Sequence, residues 1–374
     1  MNNDFLISSD VVVLKDLQYI SENLTSEFSQ IAGKKILIVG GAGFLGYYLV
    51  QAVLHWNVIN PTRVISLTVL DNFIRGCPEW LTNLEIDPNL TLRKYDITLP
   101  LPADSEDFSY IVHAGSIASP NFYRKFPIET MDANVNGLRN LLNYALSKRE
   151  SSVPVDGFLF FSTSEIYGDP PENEIPTTEG YRGNVSCTGP RACYDESKRF
   201  GETLCVNFAQ QYNLPIKIVR PFNNYGPGLK ITDRRVLPDL ARDIFANRNL
   251  VLFSDGSPTR TFCYVADAIV GYIKALVIGK PGESYNIGTE NPEISMLKFS
   301  EKLVGLASEL FSYSGSVIFE NSNDKNYLTD NPVRRCPSIG KARKELAYDP
   351  KISLDEGLRR TLIWYSENQE AIDA

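Results

Sequence analysis

A short apolar run, Ile36-Leu37-Ile38-Val39, stops at Gly40-Gly41-Ala42-Gly43-Phe44-Leu45-Gly46, and a helical stretch through Tyr47-Tyr48-Leu49-Val50 follows. A run that short, closed by glycines, predicts a strand buried on both faces, as in a parallel sheet. A parallel strand has to return through a crossover, and the helical stretch supplies it. Glycine lets the backbone turn sharply and approach a phosphate closely, while a helix N-terminus offers free N–H groups and positive potential. Strand, glycine turn and helix in this order predict a dinucleotide cradle, with Gly40, Gly43, Phe44, Leu45 and Gly46 along the pyrophosphate.

The pattern then repeats. Strand-like runs at 64–70, 91–95, 110–113, 158–162 and 216–219 alternate with helical text, most clearly around 134–149 and 194–212. This predicts an α/β fold: a doubly wound parallel Rossmann-type sheet with right-handed crossovers. After Pro221 the chain becomes irregular, with helical segments at 232–248, 264–278, 295–310 and 353–368. The expected organisation is an N-terminal helical extension over 1–33 and a dinucleotide-binding domain over 34–221 that carries the catalytic residues. A smaller C-terminal substrate-binding lobe over 222–374 interleaves with that domain. In the extension Leu14, Leu17, Ile20, Leu24 and Phe28 recur at helical spacing, which predicts a helix packed on the body or on a partner.

Composition removes several classes of function. The 374-residue chain carries 37 basic against 45 acidic side chains, net -8, which disfavours nucleic acid or an anionic membrane as partner. Six scattered cysteines without C-x-x-C spacing and only two histidines, His55 and His113, argue for reduced thiols and against a metal site. No apolar run is long enough to cross a bilayer, and the expected location is cytoplasmic.

The chemistry sits at the strand ends. Asp71, before Asn72 at the end of the second strand, can accept hydrogen bonds from adenosine ribose hydroxyls and would repel a 2′-phosphate, so NAD is expected rather than NADP. Asp96 and Ile97 end the third strand and are expected at the adenine edge, with a surface turn the alternative for Asp96, and Asn72, Ala114 after the fourth strand, Tyr194 and Lys198 complete the expected cofactor set. Tyr194 and Lys198 are four residues apart and share a helix face. An ammonium beside a phenol favours the phenolate, which predicts a lowered pKa for Tyr194 and a base for a substrate hydroxyl. Upstream, in Ser162-Thr163-Ser164-Glu165-Ile166-Tyr167-Gly168, Thr163 can bridge substrate and tyrosine. Glu165 there is either an acid–base group or a loop anchor.

These residues together resemble the extended short-chain dehydrogenase/reductase superfamily of nucleotide-sugar enzymes over roughly residues 34–365. Ala118-Ser119-Pro120, the stretch 162–170 and above all Gly189-Pro190-Arg191-Ala192-Cys193-Tyr194-Asp195-Glu196-Ser197-Lys198-Arg199 are most similar to the UDP-glucuronate decarboxylase family. The resemblance implies catalytic roles for Thr163, Tyr194 and Lys198, with Glu165 assisting, and substrate contacts from Ser119, Arg191, Asn223, Arg235 and Arg260, with Arg334 a further candidate. Amide and guanidinium donors of this kind suit phosphate oxygens. It also implies a UDP-linked sugar as substrate, NAD recycled after C4 oxidation, and a homodimer pairing the helices near 134–149 and 194–212. A 4-epimerase needs only part of the same chemistry, and Asp132-Ala133 stands where the decarboxylases carry lysine and threonine, a match closer to epimerases. An aspartate near the sugar would repel a uronate, whereas one facing solvent would not. Ser164, a poor proton donor, counts against a 4,6-dehydratase, and the intact Tyr194/Lys198 pair counts against an NAD-sensing protein without catalysis.

Overall fold

The computed structural model describes residues 11–102, 105–321 and 329–368. Seven strands make the central sheet: β1 (Lys35–Val39), β2 (Ser66–Asp71), β3 (Leu90–Lys94), β4 (Tyr110–His113), β5 (Gly157–Phe161), β6 (Ile216–Pro221) and β7 (Ser284–Ile287). They lie in the order β3-β2-β1-β4-β5-β6-β7, every neighbouring pair parallel. On β1 the pleat sends Ile36 and Ile38 into one core and Leu37 and Val39 into the other, which is why the run has no polar residue. The doubly wound sheet is therefore as expected from the sequence.

β7 had no counterpart in the sequence reading. It is short and interrupted by Asn286, whose buried amide accepts from the Tyr167 hydroxyl at 2.7 Å and donates to the Thr177 carbonyl at 2.9 Å. Those partners lie over a hundred residues away in the chain. The helix expected around 134–149 starts earlier and runs from Pro127 to Ser147 with a π-turn over Ala133–Gly137. The π-turn falls where Ala133 reaches the cavity described below, a common place for such an irregularity.

One face of the sheet is covered by helix α3 (Phe44–Ile59) and the helix Val265–Ile278, the other by Leu138–Ser147 and Ala192–Tyr212. Within the expected extension, helices α1 (Val11–Asn23) and α2 (Thr25–Ile31) lie against α3 and Val265–Ile278; residues 1–10 lie outside the described residues. Leu17, Ile20, Leu24 and Phe28 are fully buried, each side chain worth roughly 1.5–3 kcal/mol, so the extension is part of the body. Leu14, at the same helical spacing, stays exposed. Asp16 of α1 accepts from the hydroxyls of Tyr48 at 2.6 Å and Tyr264 at 2.5 Å and from Arg360 at 2.7 Å. Beyond β6, the helices Val236–Phe245, Met296–Phe311 and Leu354–Glu367 accompany a small sheet in which Thr259–Arg260 lies between Ile294–Ser295 and Arg334–Arg335.

Candidate active site

The strand order reverses between β1 and β4, and in open α/β sheets a crevice forms there beyond the carboxyl ends of the strands. Gly40 has φ +84°, and a Cβ on it would stand 2.4 Å from the Gly115 Cα, so the loops after β1 and β4 touch backbone to backbone. Gly43, at the N-cap of α3, is different: a Cβ there would meet nothing nearer than the Gly40 carbonyl oxygen at 3.5 Å. The protein itself does not require glycine at 43. The open space belongs to the cavity, beside the free N–H groups of α3, and fits a closely approaching pyrophosphate.

The cavity has a volume of about 1300 Å³, more than one small ligand usually occupies, and it runs from the glycine loop to residues beyond β6 such as Arg260 and Arg335. At the first end Asp71 accepts from the backbone N–H groups of Ala42 at 3.0 Å and Phe73 at 2.8 Å. Burial raises its carboxyl pKa, and the two N–H groups oppose that rise. Phe44, Leu45, Asn72, Ile97 and Ala114 line the same cavity. Asp96 is not brought there: it is exposed and accepts from the N–H of Thr98 at 3.0 Å and its hydroxyl at 2.8 Å, closing a local turn.

Tyr194 and Lys198 both enter the cavity from the first two turns of the helix Ala192–Tyr212. Lys198 donates to the Phe161 carbonyl at 2.7 Å, and its ammonium lies 5.8 Å from the centre of the Tyr194 ring. The expected lowering of the phenol is not found. Burial pushes Tyr194 up to about 12, against a hydrogen bond with Thr163 and the charge of Arg235, and burial pushes Lys198 down to about 7. Withdrawal from water opposes charge on both groups more strongly than any neighbour favours it. Thr163 lies at the end of β5, its Oγ1 accepting from the Glu165 N–H at 3.2 Å. The Tyr123 ring stacks on Tyr194, centroids 5.1 Å apart and planes 8° from parallel, and its buried hydroxyl has no partner among the described residues. Sequence reasoning missed Tyr123; its one signal was a place soon after the Ala118-Ser119-Pro120 passage.

Glu165 forms the charged centre of the site. Its carboxylate is paired with Arg191 and Arg335, with an Arg335 Nη2–Oε2 distance of 2.6 Å. Burial works to raise its pKa, but the charges of Arg191 and Arg335, with Arg260 beyond, hold it well below the usual carboxylate range. Asp195, 3.6 Å from the Arg191 Nε, is pushed up by burial and by the Glu165 charge. Buried Arg260 donates to the Pro332 carbonyl at 2.6 Å, and burial followed by the Arg335 charge presses its pKa down.

The expectation for Arg334 is corrected. It points out of the cavity into a two-pronged pair with Glu293, at 2.8 and 2.7 Å, while Arg335 points in beside Arg260. Neighbours on a strand face opposite ways, and the sequence does not reveal which of two adjacent arginines faces inward. Ser119, Asn223 and Arg235 all line the cavity: Ser119 donates to the Asp233 carbonyl at 2.7 Å, Asn223 to that of Thr261 at 2.8 Å, and Arg235 pairs with Asp233 at 2.8 Å. Asp132 lies outside the lining and accepts from Asn136 at 3.0 Å, so the repulsion of a uronate expected from it has no geometric basis. Among the described residues no group of His, Cys, Asp or Glu is placed to hold a metal ion, and no helix is long and apolar enough to cross a membrane.

Residues 36–288 match the model of the NAD dependent epimerase/dehydratase family. UDP-glucuronic acid decarboxylase 3 of Arabidopsis thaliana is 37% identical over 335 residues, 89% of each chain. Among solved structures, an epimerase from Methanothermobacter thermautotrophicus aligns with TM-score 0.77 at 27% identity, covering 94% of this chain and 98% of its own. The UDP-glucuronic acid 4-epimerase of Bacillus cereus, in complex with UDP-glucuronic acid and NAD, aligns with TM-score 0.70 at 25% identity, over 89% and 99% respectively.

Proposed function

Because the chain belongs to the NAD dependent epimerase/dehydratase family, we propose that it is a nucleotide-sugar decarboxylase converting UDP-glucuronate to UDP-xylose. NAD is the family's cofactor, and the glycine cradle, α3 and Asp71 are built to hold it. When bound, NAD supplies the hydride acceptor that turns the sugar C4 alcohol into a ketone, and the donor that restores an alcohol afterwards. Tyr194 takes the C4 hydroxyl proton, with Thr163 bridging the two oxygens. The Tyr194 pKa of about 12 means that the phenol needs help to act as a base. The charges of Arg235 and of a protonated Lys198 are the available help. With a ketone β to the carboxylate, the C5–carboxyl bond breaks, carbon dioxide leaves, and the electron pair moves to the C4 oxygen. Tyr194 and Thr163 then stabilise that enolate oxygen. Protonation at C5 leaves a pentose, and the overall change is redox-neutral.

The choice of a uronic acid rests on the likeness to UDP-glucuronic acid decarboxylases, and the geometry that supports an anionic substrate is the arginine surplus. Arg191 and Arg335 pair with the low-pKa carboxylate of Glu165 and the charge of Arg260 reaches it, while Asp195, the second acidic group beside Arg191, has its own carboxyl pushed up. A buried excess of positive charge is costly until an anion fills it. A uronate carboxylate or diphosphate is such an anion.

The test is to incubate purified protein with UDP-glucuronate and measure carbon dioxide and UDP-xylose. Both are expected in equal amounts without added reductant. UDP-galacturonate without gas would replace this reading with 4-epimerisation, the reaction named for the Bacillus cereus structure. We further take the protein to be a homodimer, supported by Phe200, 49% exposed on the helix Ala192–Tyr212. Light scattering at the mass of one chain would refute the dimer. Free, exposed Cys77 and Cys187 support a reducing, cytoplasmic location.

A further inference from the structure

Segment 229–235 crosses the cavity between its two halves and lines it along most of its length. It is tied on three sides. The Tyr365 hydroxyl donates to the Leu229 carbonyl at 2.6 Å, Ser119 holds the Asp233 carbonyl, and Lys230 reaches the Arg75 carbonyl at 3.5 Å. At its centre the Asp233 side chain, 4% exposed, meets two arginines: Arg75 at 3.0 Å and Arg235 at 2.8 Å. Arg75 belongs to the loop after β2, four residues past Asp71, and its guanidinium lies 4.3 Å over the Phe122 ring. Arg235 acts on the other half of the cavity, where its charge reaches Tyr194. One buried carboxylate therefore joins the dinucleotide loop to the segment that carries a substrate-side arginine.

We propose that Asp233 is a positioning residue: its ion pair with Arg75 latches the dinucleotide loop to segment 229–235, so that retention of NAD depends on a contact made from the substrate side. The proposal rests on the family's cofactor and is independent of which sugar reaction follows. The Arg75–Asp233 pair is screened from water on the aspartate side only, so its value lies in geometry rather than in bulk stability. Without the Asp233 pair, the loop past Asp71 is held at Arg75, among the described residues, by only the long Lys230 contact to the Arg75 carbonyl and the Arg75–Phe122 stacking.

The experiment measures the rate at which bound NADH leaves the enzyme, by displacement with excess NAD followed through NADH fluorescence. Arg75→Met and Asp233→Asn are each expected to speed release about tenfold, and the double variant to release no faster than the faster single one. Arg75→Lys, which keeps a cation at this one-third-exposed position, is expected to release within about twofold of the unchanged protein. If Asp233→Asn does not fold, the Arg75→Met and Arg75→Lys pair carries the test alone. Release at the original rate in Arg75→Met overturns the latch, and so do effects that multiply in the double variant. Because the readout needs no turnover, its failure is separate from failure of the decarboxylation assay.

Discussion

Asp16 on helix α1 and Glu165 after β5 are both carboxylates withdrawn from water beside an arginine, and they titrate in opposite directions. Asp16 is surrounded by two tyrosine hydroxyls and one guanidinium; burial is the larger influence and its pKa is raised. Glu165 faces Arg191 and Arg335, with Arg260 near, and the cations overcome burial and lower it. At Asp16 two neutral hydroxyls hold one oxygen and a single guanidinium the other, so one cation matches one carboxylate, and the contact serves packing between the first and last helices. At Glu165 the cations outnumber what the carboxylate needs, and the excess faces a cavity. A buried charge that is merely satisfied marks structure, whereas one surrounded by surplus opposite charge marks a place for a ligand.

Acid separates the two. Glu165, with its folded pKa lowered, contributes stability that is present above about 4.5 and is lost as pH falls through the lower folded value. Asp16, with its folded pKa raised, takes up a proton in the folded state before the unfolded chain does, so its contribution improves as pH falls through that raised value.

The largest expected effect is on the cavity side: Tyr194→Phe should lower kcat about a thousandfold while melting temperature and NADH binding stay near normal. Activity within tenfold of the original would remove the phenol from the mechanism. Glu165→Gln should reduce kcat/KM about a hundredfold and destabilise the free protein by about 3 kcal/mol, with saturating UDP restoring much of that loss. If UDP restores nothing, the arginine surplus does not serve an anion. Asp16→Asn should cost about 1–2 kcal/mol in urea titration with kcat and KM within twofold of normal; a large change in kcat would dissolve the contrast. Lys198→Met, besides losing activity, is expected to change how stability depends on pH. Between about 7, its folded pKa, and its ordinary 10.5, the unfolded chain binds a proton that the folded one lacks, so this lysine makes stability rise with pH. The variant should flatten that rise by at most about 1.4 kcal/mol per pH unit.

Much of the cavity's first half was legible because its signals are local. A strand, a glycine turn and a helix start are adjacent in the chain, and Asp71 follows its own strand directly. The helix holding Tyr194 and Lys198 was equally plain from spacing. What escaped depends on partners distant in sequence. Arg335 was passed over for Arg334 because the facing of a two-residue strand is set by its pairing with Thr259–Arg260. β7 was missed because Asn286 reads as polar until Tyr167 and Thr177 are brought to it. The direction of the Tyr194 shift was misjudged because proximity to a lysine is visible in a sequence and depth of burial is not.

β7 adds the outer strand beside β6, yet its residues follow the helix Val265–Ile278 in the chain. A fragment stopping near residue 221 would leave β6 with a row of unpaired backbone groups, α2 without the helix it rests on and α1 with α3 alone. Such a fragment is expected to be sticky rather than a small working cofactor module. During synthesis the earlier strands must wait for a late segment before the sheet has a safe border, and the Asp16–Arg360 contact, spanning 344 positions, can form only later still.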